Sequence, residues 1–387
     1  MHIVQMAPYY PPYLGGQERF VFNLSRQLVR RGHTVTVLTS RYPGDVPARS
    51  EEDGIQVFRS RDLMRPLRNP ISPGLLFPPQ SFRQADVIHA HNEHSFASVA
   101  AVLLGRRFRK PVLLTVHGRL VLGSRVGDFV VGCYERTVSR VIFGAAIGIT
   151  VATSTEKEWL SRKFQLPEAR ITVIPVGVDL AYWDTLRRAS PIDYAWRSEV
   201  RGKRVIVVAT QLIRRKGIDY LIRAMQKIAA VESDSILLIA GSGSEEASLR
   251  RLSHMLNLDD RIRFLGRIFD AELSAVYQAA DVFVLPSLSE GLATCVMEAW
   301  AHEKPVVATR IDGAKDSFPD VAELVAPADS DALAEGVLSM LRDEKSAAEK
   351  AAAGRRLMEK EYTWPAVAGR MVSAYEAVIA GAGKRMG

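Results

Sequence analysis

Two glutamates stand eight residues apart in the stretch EGLATCVME, Glu290 beside a glycine in what reads as a loop and Glu298 inside what reads as a buried helix. A solvated face scatters its acids and a core helix avoids them, so something polar is expected between the two. Each carboxylate has two acceptor oxygens and can grip a vicinal diol. The residues between, Gly291, Leu292, Ala293 and Thr294, open a helix whose first N–H groups can hold phosphate, with Thr294 as the candidate N-cap. A sugar, a diphosphate and a ribose in line would suit that arrangement.

Other residues of the same kind lie at strand ends. Lys216, beside Arg214 and Arg215, begins an amphipathic helix after the strand RVIVVAT, where charge and helix dipole together favour a polyanion, unless the cluster is simply a solvated basic turn. Gly241 and Gly243 sit in AGSGSEE, a loop where a nucleotide could lie against bare backbone. Gly15 and Gly16 join the first strand to a helix; they suit a diphosphate or acceptor loop, or a tight turn alone. His117 ends the strand VLLTVHG, where it could bond a sugar hydroxyl or leaving oxygen, or serve as a satisfied structural histidine. His89 and His91 share one face of their strand. No compact set of carboxylates or thiols completes a metal site around them, so none is expected.

These loops need a scaffold. Strands read at 2–7, 34–40, 55–60, 86–91, 112–118, 147–153 and 171–179, with helical patterns between, as in a parallel sheet covered on both faces. Phe20, Val21, Leu24 and Leu28 line one face of the first helix, and Gly32 stands where its C-terminus wants glycine. The pattern pauses and restarts at 204–210, 235–241, 261–266, 281–287, 305–310 and 322–327. The expected division is an N-terminal Rossmann-like domain over 1–182 and a linker over 183–203. A C-terminal Rossmann-like domain over 204–364 follows, with a final helix over 365–387 returning to the first domain. Ligands of such α/β sheets bind at the carboxyl ends of the strands, which is where the unusual residues fall.

The 387 residues, 47% hydrophobic and 24% charged, are those of a globular chain with room for two cores. No apolar run approaches a bilayer span, and the first residues lack a secretory pattern, so a cytoplasmic protein is expected. Cys133 and Cys295 are too few and too far apart for a disulfide or zinc framework. The net charge of +8, clustered in RSRDLMRPLR and GRRFRK, suits a solvated basic surface, or else peripheral contact with an anionic membrane or an anionic acceptor. Without aromatic interleaving it does not suit nucleic acid.

Taken in order, PYLGGQER, LVRRGHTVTVLT, DVIHAH, TVHG, RITVIPVGVD, RKGIDYLI, ADVFVLPSLSEGL with MEAWA and KPVVAT, and the terminal YTW resemble the retaining glycosyltransferases of family 4. The resemblance implies the GT-B fold, two Rossmann-like doubly wound domains facing across a cleft, with acceptor binding in the domain over 1–182 and nucleotide-sugar binding in the domain over 204–364. It implies a hexosyltransferase needing neither metal nor cofactor, which moves sugar from a UDP- or GDP-linked donor to a small-molecule, saccharide or lipid-linked acceptor. By the same resemblance Glu290 contacts the hydroxyls of the transferred sugar and Glu298 the ribose. Lys216 would meet the diphosphate, Gly15 and Gly16 the donor phosphate region, and His117 the sugar near the reacting carbon. The chain departs from the family at Thr210-Gln211, where Gly-Arg is usual, at Asp312-Gly313, where Gly-Gly is usual, and at Ala293 in place of glycine. A same-fold epimerase or hydrolase, and a non-catalytic nucleotide-binding module, are the competing expectations.

Overall fold

Strands of Val, Ile and Leu with few polar interruptions need cover on both faces, and the chain supplies it twice. The computed structural model describes residues 1–387 apart from 14, 67–68, 119–124, 190–192, 291, 312–317, 319 and 387. It divides into unit 1, Met1–Gly177 with Trp364–Gly387, and unit 2, Val178–Thr363.

Unit 1 is built on β1 (His2–Met6), β2 (Thr34–Ser40), β3 (Arg49–Glu52), β4 (Ile55–Ser60), β5 (Val87–His91), β6 (Val112–Thr115), β7 (Gly148–Val151) and β8 (Ile171–Val173). Their order is β3-β4-β2-β1-β5-β6-β7-β8. All pairs are parallel except β3 with β4, an antiparallel hairpin turned by Asp53 at φ 50° and Gly54 at φ 76°. Its strand RSEE has no apolar alternation, so sequence patterning passes over it; the Asp-Gly pair was the available signal.

Phe20, Val21, Leu24 and Leu28 of the helix Gly16–Arg30 are buried, as their spacing predicts, and Gly32 follows at φ 81°. They share a core with Val367, Ala368, Met371, Tyr375 and Val378 of the final helix, Trp364–Met386. Pro365 is the second residue of that helix, where a missing N–H costs nothing, so it starts the helix instead of breaking one.

Unit 2 carries β9 (Arg204–Ala209), β10 (Ser235–Ala240), β11 (Ile262–Gly266), β12 (Val282–Leu285), β13 (Val306–Thr309) and β14 (Glu323–Val325). They form one sheet in the order β11-β10-β9-β12-β13-β14. The stretch expected as a linker is instead part of this unit. The helix Leu180–Arg188 runs into it, and Trp183 and Trp196 are buried in the core beside Val205 and Phe283. Two large aromatic rings bury more apolar surface than the surrounding arginines can hold in solvent, so the segment packs. The chain changes unit at Gly177, where a β-carbon would run into the Trp364 ring. No helix among the described residues is long and apolar enough to cross a membrane.

Candidate functional site

In unit 2 the loops after β9 and β12 are sewn together. The Leu288 N–H donates to the Arg215 carbonyl at 2.8 Å. Gly217 has φ +60° and lies so close to the Pro286 carbonyl that any β-carbon would overlap it, a position only glycine can fill. This seam sets the short turn Arg214–Lys216 against the loop that carries Glu290. The buried Lys216 ammonium is ion-paired with the Glu290 carboxylate, and Arg215 Nη1 stands 3.4 Å from Glu290 Oε1. Desolvated charges of this kind persist only when paired, so each member holds the other's rotamer.

The second carboxylate is held differently. Tyr277 is fully buried, and its hydroxyl donates to Glu298 Oε2 at 2.8 Å. Burial first, then the Glu298 charge, keeps that phenol protonated well above its ordinary range. Desolvation, with Glu298 adding to it, pushes the neighbouring Cys295 thiol up to about 12, so it is no thiolate nucleophile. Between the two glutamates runs the start of the helix Thr294–Ala301. Thr294 is not its N-cap, contrary to expectation. It is the first helical residue, exposed, and Ala293 takes the cap position with no side-chain bond. The extended turn ends one residue earlier than the Thr signal suggests, and a methyl group brings no acceptor to the first N–H groups. Leu292 is half-buried, and Gly291 lies outside the described residues, as do Asp312 and Gly313.

Gly241 and Gly243 are required by the protein's own backbone. Gly241, at φ +141°, abuts the Thr210 carbonyl and Gly243 abuts the Leu212 carbonyl. Leu212 N–H donates to Ser242 at 3.0 Å, which lays the β10 loop along the β9 loop and leaves Gln211 exposed.

In unit 1, Gly15 caps the helix Gly16–Arg30 in extended conformation, and a β-carbon there would meet the Glu18 carboxylate. Glu18 is buried, accepts from the backbone N–H groups of Gly15 and of itself, and is raised in pKa chiefly by burial. The helix end that glycine spacing offers to an anion therefore already faces a carboxylate. Gly16 has open space at its β-position.

His117 ends a buried polar chain. Its Nε2 is 3.0 Å from His91 Nδ1, and His91 Nε2 is 2.8 Å from Gln5 Oε1. Gln5 Nε2 donates to Tyr375 Oη at 3.2 Å, which is 2.8 Å from His89 Nδ1. His89 Nε2 meets Thr115 Oγ1 at 2.6 Å, and that hydroxyl meets Thr150 Oγ1 at 2.6 Å. Asn92, at φ 61°, accepts from the His117 backbone N–H at 2.9 Å, and Phe20 sets its ring edge-on to the imidazole at 5.0 Å. Burial drives His89 and His117 down to about 3 and His91 well below its ordinary value, so all three are neutral at physiological pH. Among the described residues no group of His, Cys, Asp and Glu is arranged to hold a metal ion.

Two family descriptions match the chain in succession: Glycosyltransferase Family 4 over residues 14–182 and Glycosyl transferases group 1 over 195–357. The chain belongs to this glycosyltransferase family. An uncharacterized glycosyltransferase of Methanocaldococcus jannaschii is 27% identical, over 97% of this chain and 98% of its own. The glycogen synthase of Mycobacterium tuberculosis is 27% identical, over 98% of this chain and 96% of its own. Anabaena HepE, solved with UDP, superposes with a TM-score of 0.72 at 18% identity, covering 97% of this chain and 100% of that one. The glycosyltransferase has the GT-B fold that its order of motifs implies.

Several residues of the site escape sequence reading. Tyr277, Gln5 and Tyr375 sit in helix and strand interiors and look like ordinary core positions. Glu18 is a capping carboxylate three residues past the cap, the spacing of a capping box with glycine in place of serine, and that spacing was a usable signal.

Proposed function

We propose that this glycosyltransferase moves a sugar from a nucleotide-sugar donor to an acceptor hydroxyl with retention of anomeric configuration and without a metal. The observation that carries this reading is the succession Lys216–Glu290, uncapped helix start, Glu298–Tyr277. The diphosphate lies against Lys216, Arg215 and the N–H groups at the start of the helix Thr294–Ala301. These dipoles and cations are in place before charge develops on the leaving group. Glu298 accepts from the ribose hydroxyls; a carboxylate has about four lone-pair sites, and Tyr277 keeps it turned to one rotamer. Glu290 accepts from the hydroxyls of the transferred sugar. Because two cations already share its charge, it orients the sugar instead of attacking it. The acceptor hydroxyl attacks the face the diphosphate leaves, and its proton passes to the departing diphosphate; the neutral His117 keeps the sugar-contacting role that the resemblance implies for it.

The diphosphate belongs with unit 2 in this reading, not with Gly15 and Gly16, because the Glu18 carboxyl already takes the N–H groups of Gly15 and of itself at that helix start. Anabaena HepE was solved with UDP-glucose, which supports a UDP-linked donor. Exposed Leu63, Met64 and Phe77 stand in a stretch that also exposes Arg61 and Arg65, which suits an acceptor or membrane surface both anionic and apolar.

A mass-spectrometric screen of UDP- and GDP-sugars against saccharide, small-molecule and lipid-phosphate acceptors tests the reading. The expected result is acceptor-dependent release of nucleoside diphosphate and a product of unchanged anomeric configuration. Isomerised donor without transfer would establish an epimerase, and binding without turnover a non-catalytic module.

A further inference from the structure

The hydrogen bonds behind His117 run in one direction, and Gln5 sets it. We propose that Gln5 and Tyr375 are positioning residues that hold His117 as its Nε2–H tautomer, so that Nδ1 meets the substrate as a hydrogen-bond acceptor. The inference rests on the reading of His117 as a sugar-contacting group.

Gln5 Oε1 can only accept, so the His91 Nε2 that lies 2.8 Å from it carries the hydrogen. A neutral imidazole has one N–H, which leaves His91 Nδ1 bare. The His117 Nε2, 3.0 Å from that lone pair, must then be the donor. Neutral His117 keeps no hydrogen for Nδ1. Behind Gln5 the same logic runs the other way. Its Nε2 donates to Tyr375 Oη at 3.2 Å, and the Tyr375 hydroxyl donates to His89 Nδ1 at 2.8 Å. His89 Nε2–H then donates to Thr115, and Thr115 to Thr150, at 2.6 Å each. Gln5 is the member with a dedicated acceptor at one end and a dedicated donor at the other, so turning its amide over would reverse every bond on both sides. Buried histidine tautomers are fixed by the bond their second nitrogen makes, and here that bond is traced to a glutamine of β1 and a tyrosine 370 residues away from it in the final helix.

The consequence is chemical. A bare Nδ1 accepts from a hydroxyl and opposes a carbonyl or carboxylate, lone pair against lone pair. The opposite tautomer would reverse that preference without moving an atom heavier than hydrogen.

The test records the full-length protein, labelled with nitrogen-15 at histidine and free of ligand, by long-range proton–nitrogen correlation at neutral pH. His117 is assigned from the signals lost in His117→Gln. Wild type is expected to show the Nε2–H pattern. Tyr375→Phe removes the acceptor that orients the Gln5 amide, and Gln5→Met removes the amide, so each is expected to give a mixture of tautomers. An Nδ1–H pattern or a mixture in wild type overturns the proposal, as does an unchanged Nε2–H pattern in both folded variants. The wild-type spectrum decides even if a variant fails to fold. In Tyr375→Phe kcat is expected to fall roughly tenfold with donor KM unchanged, the scale of one misdirected hydrogen bond. A shifted tautomer with unchanged kcat would refute the positioning role. The expected spectrum in a protein that transfers no sugar would fail the functional reading alone.

Discussion

The Glu290 carboxylate is ion-paired with the Lys216 ammonium, 74 residues earlier in the chain, and their side chains are 12% and 9% exposed. The pair gives unit 2 a cation that is desolvated yet compensated, and a carboxylate fixed in place by charges on the neighbouring loop.

Glu290→Gln removes the counter-charge while keeping the shape. Transfer is expected to fall roughly 100- to 1000-fold, the scale seen when a preorganised polar group is lost at a reacting centre. The uncompensated ammonium should cost about 3 kcal/mol of stability in unit 2. Nucleoside diphosphate release and denaturant unfolding measure the two. Lys216→Met should also weaken binding of free nucleoside diphosphate, which Glu290→Gln should spare.

Tyr277→Phe leaves the ring packed and removes only the hydroxyl that turns Glu298. Donor KM is expected to rise about tenfold or more, the worth of a bond to a charged acceptor, with kcat less affected. Steady-state kinetics decide: an unchanged KM would remove Glu298 from the ribose.

Gln211 is exposed at the start of the loop after β9, ahead of Arg215 and Lys216. Gln211→Arg adds a cation where relatives of the resemblance carry one, and should tighten nucleoside diphosphate binding about tenfold in calorimetry. No gain would place the diphosphate away from this loop.

Stability should fall on the acid side of neutrality. His89 and His117 are held down at about 3 and His91 well below the ordinary 6.5, all chiefly by burial, while the unfolded chain titrates near 6.5. Below 6.5 the unfolded state binds protons the folded state refuses. The contribution is therefore intact above 6.5 and is lost progressively as pH falls toward 3. Each such histidine contributes a slope of about 1.4 kcal/mol per pH unit. His302 in unit 2, lowered to about 4, adds to the effect, and Glu18, raised by burial, acts in the opposite sense. Denaturant midpoints at pH 7 and below should show the loss, and His89→Gln should flatten it.

Vesicles containing anionic lipid should pull the protein down in sedimentation through Leu63, Met64, Phe77 and their arginines. Replacing the three apolar residues with serine is expected to abolish sedimentation and leave transfer to a soluble acceptor in place.

How much of this was legible depends on how local each signal is. Strand periodicity, the strand-end glycines and the spacing of Glu290 from Glu298 are properties of short windows, and the order of such windows identified the family. The two aromatic residues Trp183 and Trp196 defeated the linker reading because burial depends on what a ring finds to pack against, not on the polarity of its neighbours in sequence. Thr294 lost the cap for a similar reason: the preceding loop, anchored to Arg215 through Leu288, sets where helical dihedrals begin.

By itself, then, the sequence determined which residue types stand at the ends of which strands, because alternation and helix spacing are written in the chain's own period. Tertiary structure decided how those residues are partnered. Glu298 takes Tyr277 from 21 residues away, Glu290 takes Lys216 from 74, and Gln5 takes Tyr375 from 370. A hydrogen bond or ion pair depends on distance and direction in space and has no sequence period, so only the folded sheets could bring these groups together and assign each its charge, rotamer and tautomer.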